Sequence, residues 1–218
     1  MWTPAHYQPE FTNVWFSRAF EAYRIQPRIS HNVLLQSCDA LGALLCYDSM
    51  VKLHPPPMNN KDSPQGPHFL RQKYDGSCLS VALCNFVINN DSSGVLGTYL
   101  KKTYTIDTEE KCHFVDEDPY ILSLHNFSFL SSPSSEKTGG GNTSPNHIIL
   151  LLPYKNALWE LDGQDENGLR YIGPCRNRHW TRLAKERADQ WNKQSKAINS
   201  IDIHVIVSAR SISLNSTL

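Results

Sequence analysis

The sequence predicts a fold of the α+β class or a mixed α/β sandwich, and three observations carry that expectation. Apolar runs of strand length occur near the start, in the last third and close to the end of the chain, as "ALGALLCYDSM", "NHIILLL" and "IDIHVIVSAR". Segments with helical spacing lie between and around them. The resulting order is helix, strand, helices, then strands and a helix before a closing strand, which suits a layered fold. At 218 residues and 24.8 kDa the chain can bury a full core. One domain over residues 1–218 is expected, because neither an internal repeat nor a boundary is visible.

The elements follow in chain order. "PEFTNVWFSRAFEAYRI" sets Phe11, Val14, Trp15, Ala19, Ala22 and Tyr23 at roughly helical spacing, so an amphipathic helix entered at Pro9 is expected. Ala40 to Met50 reads as a buried strand. "HPPPMNNKDSPQGP", His54 to Pro67, is too rich in proline and turn residues for regular structure and reads as a surface loop. An Asp75-Gly76-Ser77 turn precedes "CLSVALCNFVI", a buried helix. "SSGVLGTYLKKTY" and "EEKCHFVDEDPYILSLHNFSFL" are helical in part. Ser131 to Asn146 is Ser-, Gly- and Pro-rich, and a mobile loop is expected there. "NHIILLL" and "NALWELDG" read as two strands, "WTRLAKERADQWNKQ" as an amphipathic helix, and "IDIHVIVSAR" as the closing strand.

Composition narrows the function. Lys plus Arg and Asp plus Glu both number 21, so no global charge invites nucleic acid or an anionic membrane. No apolar run approaches a membrane span, and "MWTPAHYQPEF" lacks the basic and apolar regions of a signal peptide. The six cysteines, Cys38, Cys46, Cys78, Cys84, Cys112 and Cys175, are scattered and form no C-x-x-C pair. Reduced thiols in a cytoplasmic or nuclear protein are therefore expected. The histidines do not cluster at zinc-ligand spacing, so neither a metal nor another cofactor is expected.

Candidate catalytic residues emerge from two places. If Leu152 pairs with Ala157 across a turn made of Pro153 to Asn156, His147 lies directly opposite Asp162, on the same face of the sheet. A carboxylate there would hold the imidazole through Nδ1 and make it an oriented base. Cys78 follows a turn and opens a helix, with Ser77 or Asp75 available as cap. The helix dipole and unpaired amides favour a thiolate at that point, and a neighbouring His147 would reinforce it. Gln72 offers an amide donor which, with the Cys78 N–H, could stabilise an oxyanion. Each residue alone has a blander reading: Cys78 as a buried thiol like Cys46 and Cys84, His147 as a core histidine, Asp162 as a turn residue. Their joint order and spacing favour catalysis.

The segment Phe69-Leu70-Arg71-Gln72 … Gly76-Ser77-Cys78 resembles the nucleophile motif of the ubiquitin C-terminal hydrolases, a family of cysteine deubiquitinases. Asn146-His147-Ile148 … Leu158-Trp159-Glu160-Leu161-Asp162-Gly163 is similar to that family's histidine and aspartate motif, and the spacing within each pair matches. Weaker likeness runs through Trp2 … Pro9-Glu10, "ALGALLCYD" and the closing strand. The resemblance implies a central, mostly antiparallel sheet flanked by helices, with papain-like catalytic geometry. It assigns Cys78 as nucleophile, His147 as general base and acid, Asp162 as its orienter and Gln72 as oxyanion donor. The implied reaction is hydrolysis after the C-terminal glycine of ubiquitin through an acyl-enzyme thioester, without metal or cofactor. The implied partner is ubiquitin or a ubiquitin-like modifier, bound by a monomer. Ser131–Asn146 lies where the family has a crossover loop, which implies small or unfolded adducts as substrates.

Departures from the family pattern define a second expectation. The family has Asn before Ser/Ala-Cys and Gly-Thr after it, where this chain has Gly76-Ser77-Cys78-Leu79-Ser80. Leu79 either turns into the core or narrows the groove a Gly-Gly tail must enter. Asp75 adds negative charge near the thiolate. A catalytically weak or inactive ubiquitin-binding protein is thus the alternative, and another papain-like acyl-transfer enzyme is a third. His125 reads as a helix-surface or core residue, and Trp180 and Trp191 read as core. Asp116-Glu117-Asp118 reads as a solvated helix start, or as a contact for the basic tail of ubiquitin.

Overall fold

A computed structural model describes residues 2, 9–19, 23–25, 40–48, 65–90, 94–104, 114–131, 146–176, 179–194 and 201–208. Its strands are β1 (Tyr23–Ile25), β2 (Ala40–Asp48), β3 (Asn146–Tyr154), β4 (Ala157–Leu161), β5 (Leu169–Pro174) and β6 (Asp202–Ser208). The helices are α1 (Pro9–Arg18), α2 (Cys78–Asn89), α3 (Val95–Tyr104), α4 (Pro119–Leu130) and α5 (Trp180–Gln194), with a 3-10 turn at Val115–Glu117. The strands form one sheet in the order β1-β6-β2-β3-β4-β5, and every pairing is antiparallel. A sheet flanked by helices is the architecture expected.

The central strands read as near-continuous apolar runs because helices cover both faces. Alternation along each strand divides them into two cores. Leu44, Cys46, Ile148, Leu150, Leu152, Trp159, Leu161 and Ile206 pack with the helices from α1 to α4. Ala43, Leu45, Tyr47, Ile149, Leu151, Leu158 and Ile203 pack against Trp180, Ala184, Ala188 and Trp191 of α5. Helix α2 is buried at every position from Cys78 to Ile88, as an all-round apolar helix must be. Among the described residues no helix is long and apolar enough to cross a membrane.

Four expectations need correction. Helix α1 stops at Arg18, and Tyr23 does not continue it: Tyr23–Ile25 pairs with the edge of β6. The Tyr23 ring packs edge-on against Phe16 and Phe86, so tertiary contact overrides the helical spacing. Strand β5 lies between "NALWELDG" and "WTRLAKERADQWNKQ", where no element is expected from the sequence. The acidic run does start a helix but is solvated only at Glu117, since Asp116 and Asp118 are buried. Asp118 caps α4 by accepting from Tyr120 N at 2.8 Å, and its other oxygen accepts from the hydroxyls of Tyr99 and Tyr104.

The fourth correction concerns register. The β3–β4 hairpin turns on Lys155 and Asn156 alone, at φ 47° and 61°, and pairs Tyr154 with Ala157 and Leu152 with Trp159. Two consecutive residues at positive φ match the twist of a two-residue hairpin, and asparagine accepts that conformation readily. Pro153 joins the strand because β2 pairs with β3 only as far as Leu151, so no ladder bond there needs a proline N–H. His147 is therefore not the cross-strand partner of Asp162; its partner is Tyr47 on the other side, in β2. Most of the expected His54–Pro67 loop, and residues 132–145 of the expected mobile loop, lie outside the described residues.

Candidate active site

The segment before α2 is held by side chains that imitate a strand partner. Asn85 exchanges two hydrogen bonds with the Leu70 backbone, at 2.8 and 2.9 Å, and Asn89 does the same at His68, at 2.8 and 2.7 Å. One helical turn separates the two asparagines, so they clamp the chain along the helix. The chain then turns at Gly76, whose φ of 86° favours glycine. Ser77 takes the N-cap position in helical conformation and makes no capping bond; its hydroxyl points to Asp116 and Tyr74 instead. Val81 N–H closes the first turn on the Ser77 carbonyl, so Cys78 stands at the amide-rich end of α2. Leu79, fully buried, takes the inward of its two expected placements.

His147 and Asp162 meet in spite of the altered register. The imidazole Nε2 lies 2.8 Å from Asp162 Oδ1, and both side chains are buried. The contact uses Nε2 rather than the expected Nδ1, which leaves Nδ1 for Cys78, with whose side chain the ring also hydrogen-bonds. Burial pulls the His147 pKa down, but the hydrogen bonds to Asp162 and Cys78 and the charges there prevail and raise it to about 10. Burial pushes Asp162 up; the bond to His147, its charge, the Arg170 charge and the Gln164 N–H outweigh that and lower its pKa. Both shifts favour an imidazolium–carboxylate pair. A protonated imidazole at a helix N-terminus is the setting in which a thiol becomes a nucleophile. Elsewhere in the core, burial first of all pushes the thiols of Cys46 and Cys84 well above the usual range.

Asp162 sits in a tight loop. Its Oδ1 accepts from Gln164 N at 3.1 Å, and its N–H donates to Gly168 O at 2.9 Å. A Cβ on Gly168 would lie 1.8 Å from the Asp162 carbonyl oxygen, and one on Gly163 would lie 2.8 Å from Val81 Cγ1. Only glycines let this loop close and dock on α2. Gln72 joins the same junction: its backbone N–H donates to Gly163 O at 2.8 Å. Its Nε2 donates to Tyr74 O at 2.9 Å, which uses one of two hydrogens and leaves the other for a ligand. All four expected residues are thus gathered where α2, β3 and the loop after β4 converge. Asp75 is exposed and accepts from Gln164 Nε2 at 3.3 Å.

Tyr47 and Glu160 shape this site without having been singled out. Tyr47 lies edge-on to the His147 ring, with centroids 5.2 Å apart, and is backed by Trp191. Burial foremost, then the Asp162 and Glu160 charges, raises the Tyr47 pKa. Pairing β2 with β3 would have found it, but the two strands are about a hundred residues apart. Glu160, wholly buried, accepts from Arg170 Nη1 at 2.9 Å, Arg187 Nε at 2.6 Å, Arg187 Nη2 at 3.0 Å and Trp191 Nε1 at 3.1 Å. Arg170 also pairs with Asp165, so the cluster ties the Asp162 loop to β5 and α5. His125 is core, beside Ser80 Oγ at 3.0 Å. Among the described residues no group of three His, Cys, Asp or Glu side chains is disposed to hold a metal ion.

Comparison with known proteins adds to this geometry. The family described as "Ubiquitin carboxyl-terminal hydrolase, family 1" matches residues 28–191, which include both motifs. A ubiquitin carboxyl-terminal hydrolase of Drosophila melanogaster is 27% identical over 115 residues, covering 51% of this chain and 49% of the relative. The ubiquitin carboxyl-terminal hydrolase ubh-4 of Caenorhabditis elegans is 24% identical over 123 residues, covering 54% and 38%. The matched stretch thus spans half or less of each of these two relatives. The solved catalytic domain of Trichinella spiralis UCH37, bound to ubiquitin vinyl methyl ester, superposes with a TM-score of 0.72 at 16% identity, covering 95% of this chain and 96% of that one. That likeness is one of fold.

Proposed function

The chain belongs to family 1 of the ubiquitin carboxyl-terminal hydrolases, and from that premise we propose that it hydrolyses the bond after the C-terminal glycine of ubiquitin or a ubiquitin-like modifier. The observation that carries the reading is the buried His147–Asp162 pair, hydrogen-bonded onward to Cys78 at the start of α2. Cys78 Sγ attacks the glycine carbonyl, and the resulting oxyanion is held by the Cys78 N–H and the second Nε2 hydrogen of Gln72. His147 gives its proton to the leaving amine, so the C–N bond breaks and a thioester remains. His147, now neutral, takes a proton from water as it attacks, and the carboxylate and thiolate leave the cycle restored. Asp162 keeps the imidazole oriented and balances its charge throughout.

The test is turnover of a fluorogenic ubiquitin C-terminal amide by wild type and Cys78→Ala. The substitution is expected to abolish hydrolysis while ubiquitin binding persists; residual turnover would sink the nucleophile assignment. A wild type that binds ubiquitin without turnover would instead leave a binding protein. The preference for small or unfolded adducts rests on the position of Ser131–Asn146, directly before His147 in the sequence. Lengthening that segment should admit bulkier leaving groups, and unchanged cleavage of bulky conjugates would refute the preference.

A further inference from the structure

Asp116 has no part in the chemistry above, yet it is 2% exposed and its carboxylate is turned onto the loop that precedes the nucleophile. Lys73 N lies 3.1 and 2.9 Å from its two oxygens, and Tyr74 N donates to Oδ2 at 2.8 Å. Ser77 Oγ is 2.7 Å from Oδ2 and 2.8 Å from Tyr74 O, so its single hydrogen is shared between two acceptors. Tyr74 O also receives the Gln72 side-chain amide, at 2.9 Å. The carboxylate therefore holds the Tyr74 N–H and the Ser77 hydroxyl, and the Tyr74 carbonyl, one peptide further on, receives both that hydroxyl and the Gln72 amide. On its other side Asp116 is anchored by Trp2 Nε1, which donates to its carbonyl at 3.2 Å.

We propose that Asp116 is a positioning residue for the oxyanion hole, holding Gln72 Nε2 in register with Cys78 through Tyr74 and Ser77. The proposal rests on the hydrolase reading above. Its chemistry is acceptor geometry. Two backbone donors and a hydroxyl converge on one point, and a carboxylate is the side chain that can accept all three there. An amide with its oxygen at the Oδ2 position would turn its hydrogens toward the Lys73 N–H, now 3.1 Å from Oδ1, and would accept the other bonds without the charge. Misplacing an oxyanion donor lowers turnover far more than it lowers substrate binding.

The experiment compares wild type, Asp116→Asn, Gln72→Ala and the double variant on the fluorogenic ubiquitin amide, with Cys78 alkylation by iodoacetamide measured in parallel. Alkylation forms no oxyanion, so it reports the nucleophile and the fold alone. Asp116→Asn is expected to lower kcat at least tenfold, with KM within about threefold and alkylation unchanged. In the Gln72→Ala background the same change should cost no more than about threefold, because the residue it positions is gone. Asp116→Glu, which keeps a carboxylate, should recover most of the turnover. Asp116→Ser keeps one acceptor oxygen and carries the same test should the asparagine variant fail to fold. Losses that multiply in the double variant, or alkylation that slows along with kcat, would overturn the proposal. A wild type alkylated at Cys78 yet silent on the ubiquitin amide would overturn the hydrolase reading itself, and the oxyanion role with it.

Discussion

Glu160→Gln tests the ionic cluster behind the Asp162 loop. In the native protein four N–H groups, from Arg170, Arg187 and Trp191, end on a carboxylate with no exposed surface. Glutamine keeps the volume but removes the charge and replaces one acceptor oxygen with a donor. That donor faces either Arg187 Nε, now at 2.6 Å, or the guanidinium groups at 2.9 and 3.0 Å. Arg170 retains Asp165 as a partner, but Arg187, 2% exposed, loses its anion. Removing one member of a buried pair costs about 3–5 kcal/mol, because the remaining charge stays desolvated. For a chain of this size that is a fall in Tm of roughly 10 °C. Urea unfolding at neutral pH would measure it, with Glu160→Leu/Arg187→Met as the control. The control should lose much less, since an apolar pair of similar volume leaves no orphan charge. A loss below about 1 kcal/mol for Glu160→Gln would refute the reasoning, because it would mean that water reaches the cluster.

Three further outcomes are expected. Leu79→Gly should cost at least about 2–5 kcal/mol, the range for emptying a buried leucine site, since Leu79 is wholly buried in the core; faster ubiquitin-amide turnover would show it to be a brake on the groove after all. Gly168→Ala should depress turnover by moving the Asp162 backbone, because the added Cβ would stand 1.8 Å from the Asp162 carbonyl; wild-type kcat would contradict this. His147, raised from 6.5 to about 10, contributes stability that is complete below about pH 6.5 and lost as pH rises through about 10. Asp162, lowered from 3.8, contributes stability present above that value and lost as pH falls through its folded pKa. The stability gap between wild type and Asp162→Asn should therefore shrink from pH 6 to pH 10, and a constant gap in denaturant titrations would refute the ion pair.

Much of the fold and of the candidate site could be read without coordinates. Helix α5 and strands β2 and β6 declare themselves by local periodicity, because burial on one face or two leaves its mark on neighbouring residues. Cys78, His147, Asp162 and Gln72 were also legible, from order and spacing. The route was partly mistaken: His147 and Asp162 were expected to meet as cross-strand partners, and they meet instead from a strand end and a loop. A two-residue turn and a four-residue turn differ by a single choice at Pro153 and Tyr154, which local preference does not settle.

The sequence by itself determined the apolar pattern, and with it most of the helices and strands, together with the order and spacing of Gln72, Cys78, His147 and Asp162 that make them candidates. Only the tertiary structure decided what the charged residues do. Asp116, read as solvated, is buried because Lys73, Tyr74 and Ser77 supply donors from some forty residues away. Glu160 looks like an ordinary strand residue until Arg187, on α5, reaches it. The physical reason is that apolar burial is a one-body preference, expressed wherever the residue lies. A buried charge is stable only with its partners, and partners distant in sequence become neighbours only when the chain has folded.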